Sequence, residues 1–159
     1  MIQSCTTMLY VAKLPGNMLI NGIVYGCGGT FAMIFSSWLM GRMHDITVFR
    51  ALWLLGLIGY LVLILFPDND ILPYVGIILI TTSIEGWGNT FLLILELRVP
   101  PQNASSALVI IKTISIGAAI SCPTIANLEQ PFTLMIGMCL AFTAVLVTIC
   151  LPRPGQHLP

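Results

Sequence analysis

Charge is what this sequence has least of. Only 8% of its 159 residues are Asp, Glu, Lys or Arg, whereas a soluble domain carries roughly 25% charged residues. Six basic and six acidic side chains give a formal net charge of zero, so the chain has neither a basic field nor an acidic tail. This number of charges is too small to cover the surface of a water-soluble globular protein. Because there is no basic field, nucleic acid is not an expected partner.

Motifs for catalysis or metal binding are also missing. The five cysteines form no C-x-x-C pair and no metal-ligand spacing with His44 or His157, which predicts buried spectator thiols. There is no H-E-x-x-H, no G-x-x-x-x-G-K and no visible nucleophile–base pair. The first residues lack the basic start and the cleavage site of a signal peptide. These absences argue against an enzyme, a cofactor, a metal site and a disulfide framework.

Apolar side chains are abundant, at 57% of the residues, and the mean hydropathy is +0.98. They form five long segments, each able to cross about 30 Å of hydrocarbon as a helix. These predicted spans are residues 17–40, 47–66, 71–95, 104–126 and 132–151. Residues 1–12 are apolar but too short to span, and we interpret them as the remnant of a sixth helix. The prediction is one all-α transmembrane bundle with five full spans plus a truncated one.

Short polar connections separate these spans. The clearest is Pro67-Asp68-Asn69-Asp70, a strong turn-forming run. Short loops predict that consecutive helices are antiparallel neighbours in one compact bundle. Counting basic residues on alternate sides assigns Arg42, Arg50, Arg98 and Arg153 to one face, and only Lys13 to the other. The positive-inside rule makes the first face cytoplasmic, with the C-terminus on that side.

Two charged residues lie inside predicted spans. Glu85 lies near the middle of the third predicted span, and Asn89 lies one helical turn from it. Lys112 lies in the fourth predicted span, and Ser115 shares its helix face. A charge at this depth costs several kcal/mol unless it is neutralised, paired or facing water. Three structural alternatives stay open. Glu85 is a protonated carboxyl group, Lys112 extends its side chain to the lipid headgroups, or Glu85 and Lys112 form a structural ion pair. The functional alternative is that one or both line a substrate pathway.

Four stretches occur in the order and spacing of one transporter family. Leu14 to Asn21 resembles the outer link between its seventh and eighth helices, and Gly41 to Arg50 resembles its cytoplasmic loop motif. Glu96 to Asn103 is similar to the segment after the family's tenth helix. Leu151 to Pro159 is similar to the repeated Leu-Pro pattern after the family's last helix. With these motifs the chain resembles the C-terminal half of a major facilitator superfamily transporter, in the organic cation/anion transporter-like group.

The resemblance implies a solute carrier of the plasma membrane that moves small organic ions or solutes by alternating access. It also implies a fragment, whose partners are the lipid bilayer and a missing N-terminal half. The expected pathway residues are Glu85, Asn89, Lys112 and Ser115. The expected gating residues are Asn17, Asn21, Gly41, Arg42, Asp45, Arg50, Glu96 and Arg98.

The chain departs from the family pattern at several charges. Gln102 stands where an Arg is usual, and Arg153-Pro154 replaces Glu-Thr. In the loop motif, one register aligns Gly41, Asp45 and Arg50, whereas a gapless alternative matches only Arg42. In these transporters, such charges form a cytoplasmic network that stabilises one state of the gate. Because several of these charges are missing here, the sequence also supports an alternative. In that alternative the chain is a transport-inactive, multispan interaction or scaffold protein.

Overall fold

The computed structural model describes residues 18–98 and 130–150, together with single positions between 100 and 113. All regular secondary structure in these residues is helical. The four long helices are α1 (Met18–Met40), α2 (Asp45–Leu65), α3 (Leu72–Arg98) and α4 (Gln130–Cys150). Each is at least 21 residues long, which is about 30 Å or more at 1.5 Å per residue.

All four helices are long and apolar enough to cross a membrane. The chain is therefore an all-helical integral membrane protein, as its composition predicts. The count of five full spans and a remnant is not supported by the described residues. The predicted span at 104–126 lies almost entirely outside them, as does the segment 1–12; the described positions from Gln102 to Thr113 are helical.

The two short loops end their helices in different ways. After α1, the amide groups of Arg42 and Met43 donate hydrogen bonds to the Leu39 carbonyl group, closing the last turn. In the predicted turn, the Asn69 side-chain oxygen accepts hydrogen bonds from the amides of Ile71 and Leu72, each at 3.0 Å. These amides have no intrahelical acceptor at a helix N-terminus. Asn69 therefore fixes where α3 begins.

The packing order differs from the chain order. Helix α3 packs extensively against both α2 and α1, and α2 also packs against α4, whereas α1 and α2 barely touch. The prediction that consecutive helices are neighbours is wrong for α1 and α2. A short loop makes two helices antiparallel, but it does not prevent a third helix with small contact residues from packing between them.

Glycines allow this close packing on α3. A Cβ atom added to Gly59 of α2 would lie 2.8 Å from the Gly76 carbonyl oxygen of α3 and 2.7 Å from Ile80 Cγ1. One added to Gly86 of α3 would lie 2.8 Å from Leu52 Cδ2. In lipid, such small residues allow helices to associate through backbone-close van der Waals contact. The hydrophobic core beside them centres on Tyr60, Leu63, Ile77, Ile80, Leu134 and Ala141.

Contact pairs also give the directions of the helices. Gly28 of α1 contacts Thr81 of α3, and Ser36 contacts Asn89. The residue numbers therefore increase in the same direction along both helices, so α1 and α3 are parallel. Arg50 of α2 contacts Thr148 of α4, and Tyr60 contacts Gly137, so α2 and α4 are antiparallel. Helices α1, α3 and α4 therefore run in one direction and α2 in the other. Residues 99–129 connect the end of α3 at one side of the bundle to the start of α4 at the opposite side.

Candidate functional site

Glu85 stands at the midpoint of α3 (Leu72–Arg98), about 20 Å from either end of the helix at 1.5 Å per residue. Its side chain is half-buried in the contact between α3 and α1. The Cγ atom of Glu85 lies 3.7 Å from the position of a Cβ atom added to Gly29. That distance is an ordinary van der Waals contact, so the Glu85 side chain packs directly against α1 at Gly29. No salt bridge joins Glu85 to another residue within the described ranges.

Hydroxyl groups surround this part of α3. The Tyr25 hydroxyl of α1 is buried, forms no hydrogen bond with a described residue, and lies within electrostatic range of Glu85. Thr82, one turn before Glu85, is 2% exposed and its hydroxyl has no described partner either. The Thr81 hydroxyl instead donates to the Ile77 carbonyl at 2.8 Å. A carboxyl group and two unsatisfied hydroxyls thus lie near one another in the apolar span.

Asn89 joins α3 to α1 one turn beyond Glu85. Its side-chain nitrogen donates hydrogen bonds to the Ser36 hydroxyl at 2.8 Å, to the Ser37 hydroxyl at 3.1 Å and to the Met33 carbonyl at 3.4 Å. Ser36 is fully buried. The structure therefore brings both described pathway candidates, Glu85 and Asn89, to the contact between α1 and α3. It also gives Asn89 a direct part in holding these two helices together.

Arg50 joins α2 to the end of α4. Its Nε and Nη2 atoms both donate to the Thr148 carbonyl oxygen, at 3.0 and 2.7 Å. This carbonyl belongs to the last turn of α4, where backbone oxygens have no intrahelical donor. A cation at a helix C-terminus also interacts favourably with the helix dipole. Arg50, one of the residues expected at a cytoplasmic gate, thus contacts a helix that is distant in the sequence.

The structure also describes four other gating candidates, two in the loop after α1 and two within helices. Gly41 and Arg42 are exposed in the loop after α1, and the Arg42 guanidinium lies 4.4 Å from the centre of the Trp38 ring. Asp45 begins α2, where a negative charge is favourable at the helix N-terminus. Asn21 is 1% exposed within the first turns of α1. These contacts do not test the gating role that the resemblance implies.

Several candidates lie outside the described part of the chain. For Asn17, Lys112 and Ser115 the structure describes nothing, and for Glu96 and Arg98 it describes only the helical backbone. A Glu85–Lys112 ion pair and a role for Lys112 in the pathway therefore stay predictions.

Two open grooves lie on the outer faces of the edge helices. One, of about 570 Å³, is lined by residues of α1 that include Gly26 and Phe31, and one, of about 390 Å³, by residues of α4 that include Phe132 and Cys139. Neither contains Glu85 or Asn89. Their linings are apolar and belong to single helices, as expected of surfaces in contact with lipid.

The sequence pattern alone did not point to Ser36 and Tyr25 as site residues. Single hydroxyl residues in an apolar span resemble ordinary packing residues, so nothing in the local pattern distinguishes them. One feature does point to Ser36: the small polar pair Ser36-Ser37 lies near the end of a mostly apolar helix, and small polar residues favour helix contacts in membranes.

Comparisons with protein-family models, with curated proteins and with solved structures find no match to this chain. The arrangement of its own residues is therefore the basis for a functional assignment.

Proposed function

We propose that this chain is part of a membrane transporter for small organic ions or solutes, and that Glu85 lines the solute pathway. The observation that carries the proposal is the position of Glu85: a half-buried carboxyl group at the midpoint of a membrane-spanning helix, without a described ion-pair partner. Ionisable groups at this depth usually face a bundle interior or a water-filled cavity. The sequence resemblance to the major facilitator superfamily supports the same function independently.

The chemistry around Glu85 favours solutes that carry positive charge or donate hydrogen bonds. The carboxyl group supplies acceptor oxygens, and the nearby Tyr25 and Thr82 hydroxyls have no hydrogen-bond partner among the described residues. A polar solute at this level would gain partners that the apolar surroundings do not offer. Asn89 would keep α3 and α1 together while the solute binds beside them.

Alternating access gives the proposed mechanism and partner. In it, two helical bundles rock about a central site, so that the site opens to one side of the membrane at a time. The described helices form an open layer in the order α1, α3, α2, α4, which does not by itself enclose a pathway. A second bundle is therefore part of the proposal. We place the carrier in the plasma membrane, with the arginine-rich face in the cytoplasm.

We also propose that residues 104–126 form a fifth span. Two facts support it: the segment is long and apolar, and residues 99–129 join opposite sides of the bundle. If the segment between α3 and α4 crosses the membrane once, it buries its apolar residues in lipid and also connects the two sides of the bundle.

Uptake measurements test the transport proposal. Cells that express the complete transporter, of which this chain is the proposed part, are compared with vector controls for uptake of a radiolabelled quaternary ammonium ion and a radiolabelled carboxylate. We expect uptake of the cation, reduced about tenfold or more by Glu85→Gln, which corresponds to about 1.4 kcal/mol of lost binding. Glu85→Asp should retain part of it. The matched control Asp68→Asn removes a loop carboxylate and should stay within about twofold. Absence of uptake, or equal uptake in Glu85→Gln, would contradict the proposal.

The alternative function is that of a transport-inactive interaction or scaffold protein. It is favoured by the hydrogen bonds of Asn89 and the glycine contacts of α3, because both hold the bundle in one arrangement. In that case, Glu85→Gln would leave uptake at background and would change only the assembly of the chain with other membrane proteins, measured by co-purification.

A further inference from the structure

An aromatic column runs along α1, with Phe31 and Trp38 exposed and Phe35, between them, half-buried against the core cluster of Leu39, Val48 and Leu52. The Phe31 and Phe35 rings are stacked with centres 5.5 Å apart, and the Phe35 and Trp38 rings with centres 6.2 Å apart. Phe31 and Trp38 are 54% and 49% exposed. From Phe31 to Trp38 the column extends about 10 Å along the helix. It forms a flat apolar strip that reaches the end of the span.

Arg42 caps the loop end of this column. Its guanidinium carbon lies 4.4 Å from the centre of the Trp38 ring, within the range of a cation–π contact. The guanidinium N–H groups form no hydrogen bond with a described residue, so they are able to donate to a ligand. Arg42 is exposed, and no described carboxylate forms a salt bridge with it. The guanidinium group is therefore oriented and available for an anion, for which bidentate phosphate contacts suit it best.

The order of these groups matches the order of groups in a phospholipid. A basic group lies at the end of the span, where headgroups are found, and flat apolar rings extend from it towards the middle of the membrane. Trp at such a position is typical of the membrane–water interface. We propose that this face binds an anionic phospholipid, with its phosphate at Arg42 and an acyl chain along Phe31, Phe35 and Trp38. The proposal does not depend on the proposed transport function.

Quenching of tryptophan fluorescence by brominated lipids tests the proposal. The full chain is reconstituted in phosphatidylcholine bilayers that contain a fixed fraction of either brominated phosphatidylglycerol or brominated phosphatidylcholine. The signal of Trp38 is obtained by subtracting the spectrum of Trp38→Phe, which retains Trp53 and Trp87. We expect an apparent preference for the anionic lipid of about fivefold, as one basic residue near an anionic surface gives.

Variants of Arg42 separate the possible sources of that preference. Arg42→Gln should abolish it, and Arg42→Lys, which keeps the charge but loses the bidentate guanidinium group, should retain only part of it. Inorganic phosphate added to the buffer should not remove it. Equal quenching by both lipids in the wild type, an unchanged preference in Arg42→Gln, or loss of the preference with inorganic phosphate would overturn the proposal. So would the absence of quenching by either lipid, which would indicate a protein covering this face.

Discussion

Single residues of α3 make two kinds of contact with its neighbouring helices, α2 and α1. Gly76 and Gly86 allow α2 to approach closely, and Asn89 bonds to α1. The sequence shows that these residue types are present in an apolar span, but not which neighbour each one meets. Ser36 and Asn89 are 53 residues apart, and nothing local to either position predicts the other.

Gly59→Ala tests the close approach of α2 and α3. The new Cβ atom would lie 2.7 Å from Ile80 Cγ1 and 2.8 Å from the Gly76 carbonyl oxygen, so the helices must move apart. We expect the free energy of unfolding in micelles to fall by about 1–3 kcal/mol, as for overpacked cores. Gly26→Ala is the matched control, because no atom lies within 4 Å of its added Cβ. It should leave stability unchanged or raise it by up to about 1 kcal/mol; equal losses in both variants would contradict the account.

Asn89→Ala and Ser36→Ala test the polar contact between α3 and α1. A double-mutant cycle on the unfolding free energy should give a coupling of about 0.5–1.5 kcal/mol, the range found for hydrogen bonds between helices in membranes. Thr30→Ala serves as the control partner for Asn89→Ala, since the Thr30 hydroxyl bonds only to the Gly26 carbonyl of its own helix. Its effect should be additive. Zero coupling between Asn89 and Ser36 would show that this contact adds no stability.

At the scale of the helices, hydropathy is a sufficient predictor of where they occur. An apolar run of about 20 residues has few alternatives to a helix in lipid, because every backbone polar group must be satisfied within the segment. The order in which helices pack is not encoded in this way. It depends on which faces carry small residues, and all four helices contain apolar side chains on every face, so α3 was not predictable as the central helix.

Arg50→Gln tests the connection between α2 and α4. Loss of the two bonds to the Thr148 carbonyl leaves the last turn of α4 without its donor, at a cost of about 1–2 kcal/mol. We expect faster hydrogen exchange of backbone amides near the end of α4, with little change in α1. Arg42→Gln, which removes an exposed arginine from the same face, should not affect exchange in α4. Exchange that rises equally in both variants would contradict a specific role for Arg50.

For the molecule as a whole, the parallel direction of α1, α3 and α4 has consequences for membrane orientation. It places the Gly41–His44 loop and the C-terminal end of α4 on one side of the bundle, and the Pro67–Asp70 turn on the other. The count of basic residues assigned these segments to the same two sides from the sequence alone. The assignment of the first side to the cytoplasm stays a prediction.

Thiol labelling tests this orientation. In a variant without the five native cysteines, a cysteine replaces either His44 or Asp68, both of which are exposed in loops. A membrane-impermeant reagent applied to intact cells should label Asp68→Cys, and should label His44→Cys only after the cells are opened. The reverse pattern would invert the orientation, and labelling of both from one side would contradict the described arrangement of α2.

We propose that Glu85 lines a water-accessible pathway through the membrane. The most direct measurement is the reaction of Glu85→Cys with a charged thiol reagent, in the same cysteine-free background. Ile58→Cys is the control, because this residue is 48% exposed on an apolar helix face and should meet lipid. The account predicts that Glu85→Cys reacts readily, that a transported solute slows the reaction, and that Ile58→Cys does not react. A Glu85→Cys variant as unreactive as Ile58→Cys would contradict it.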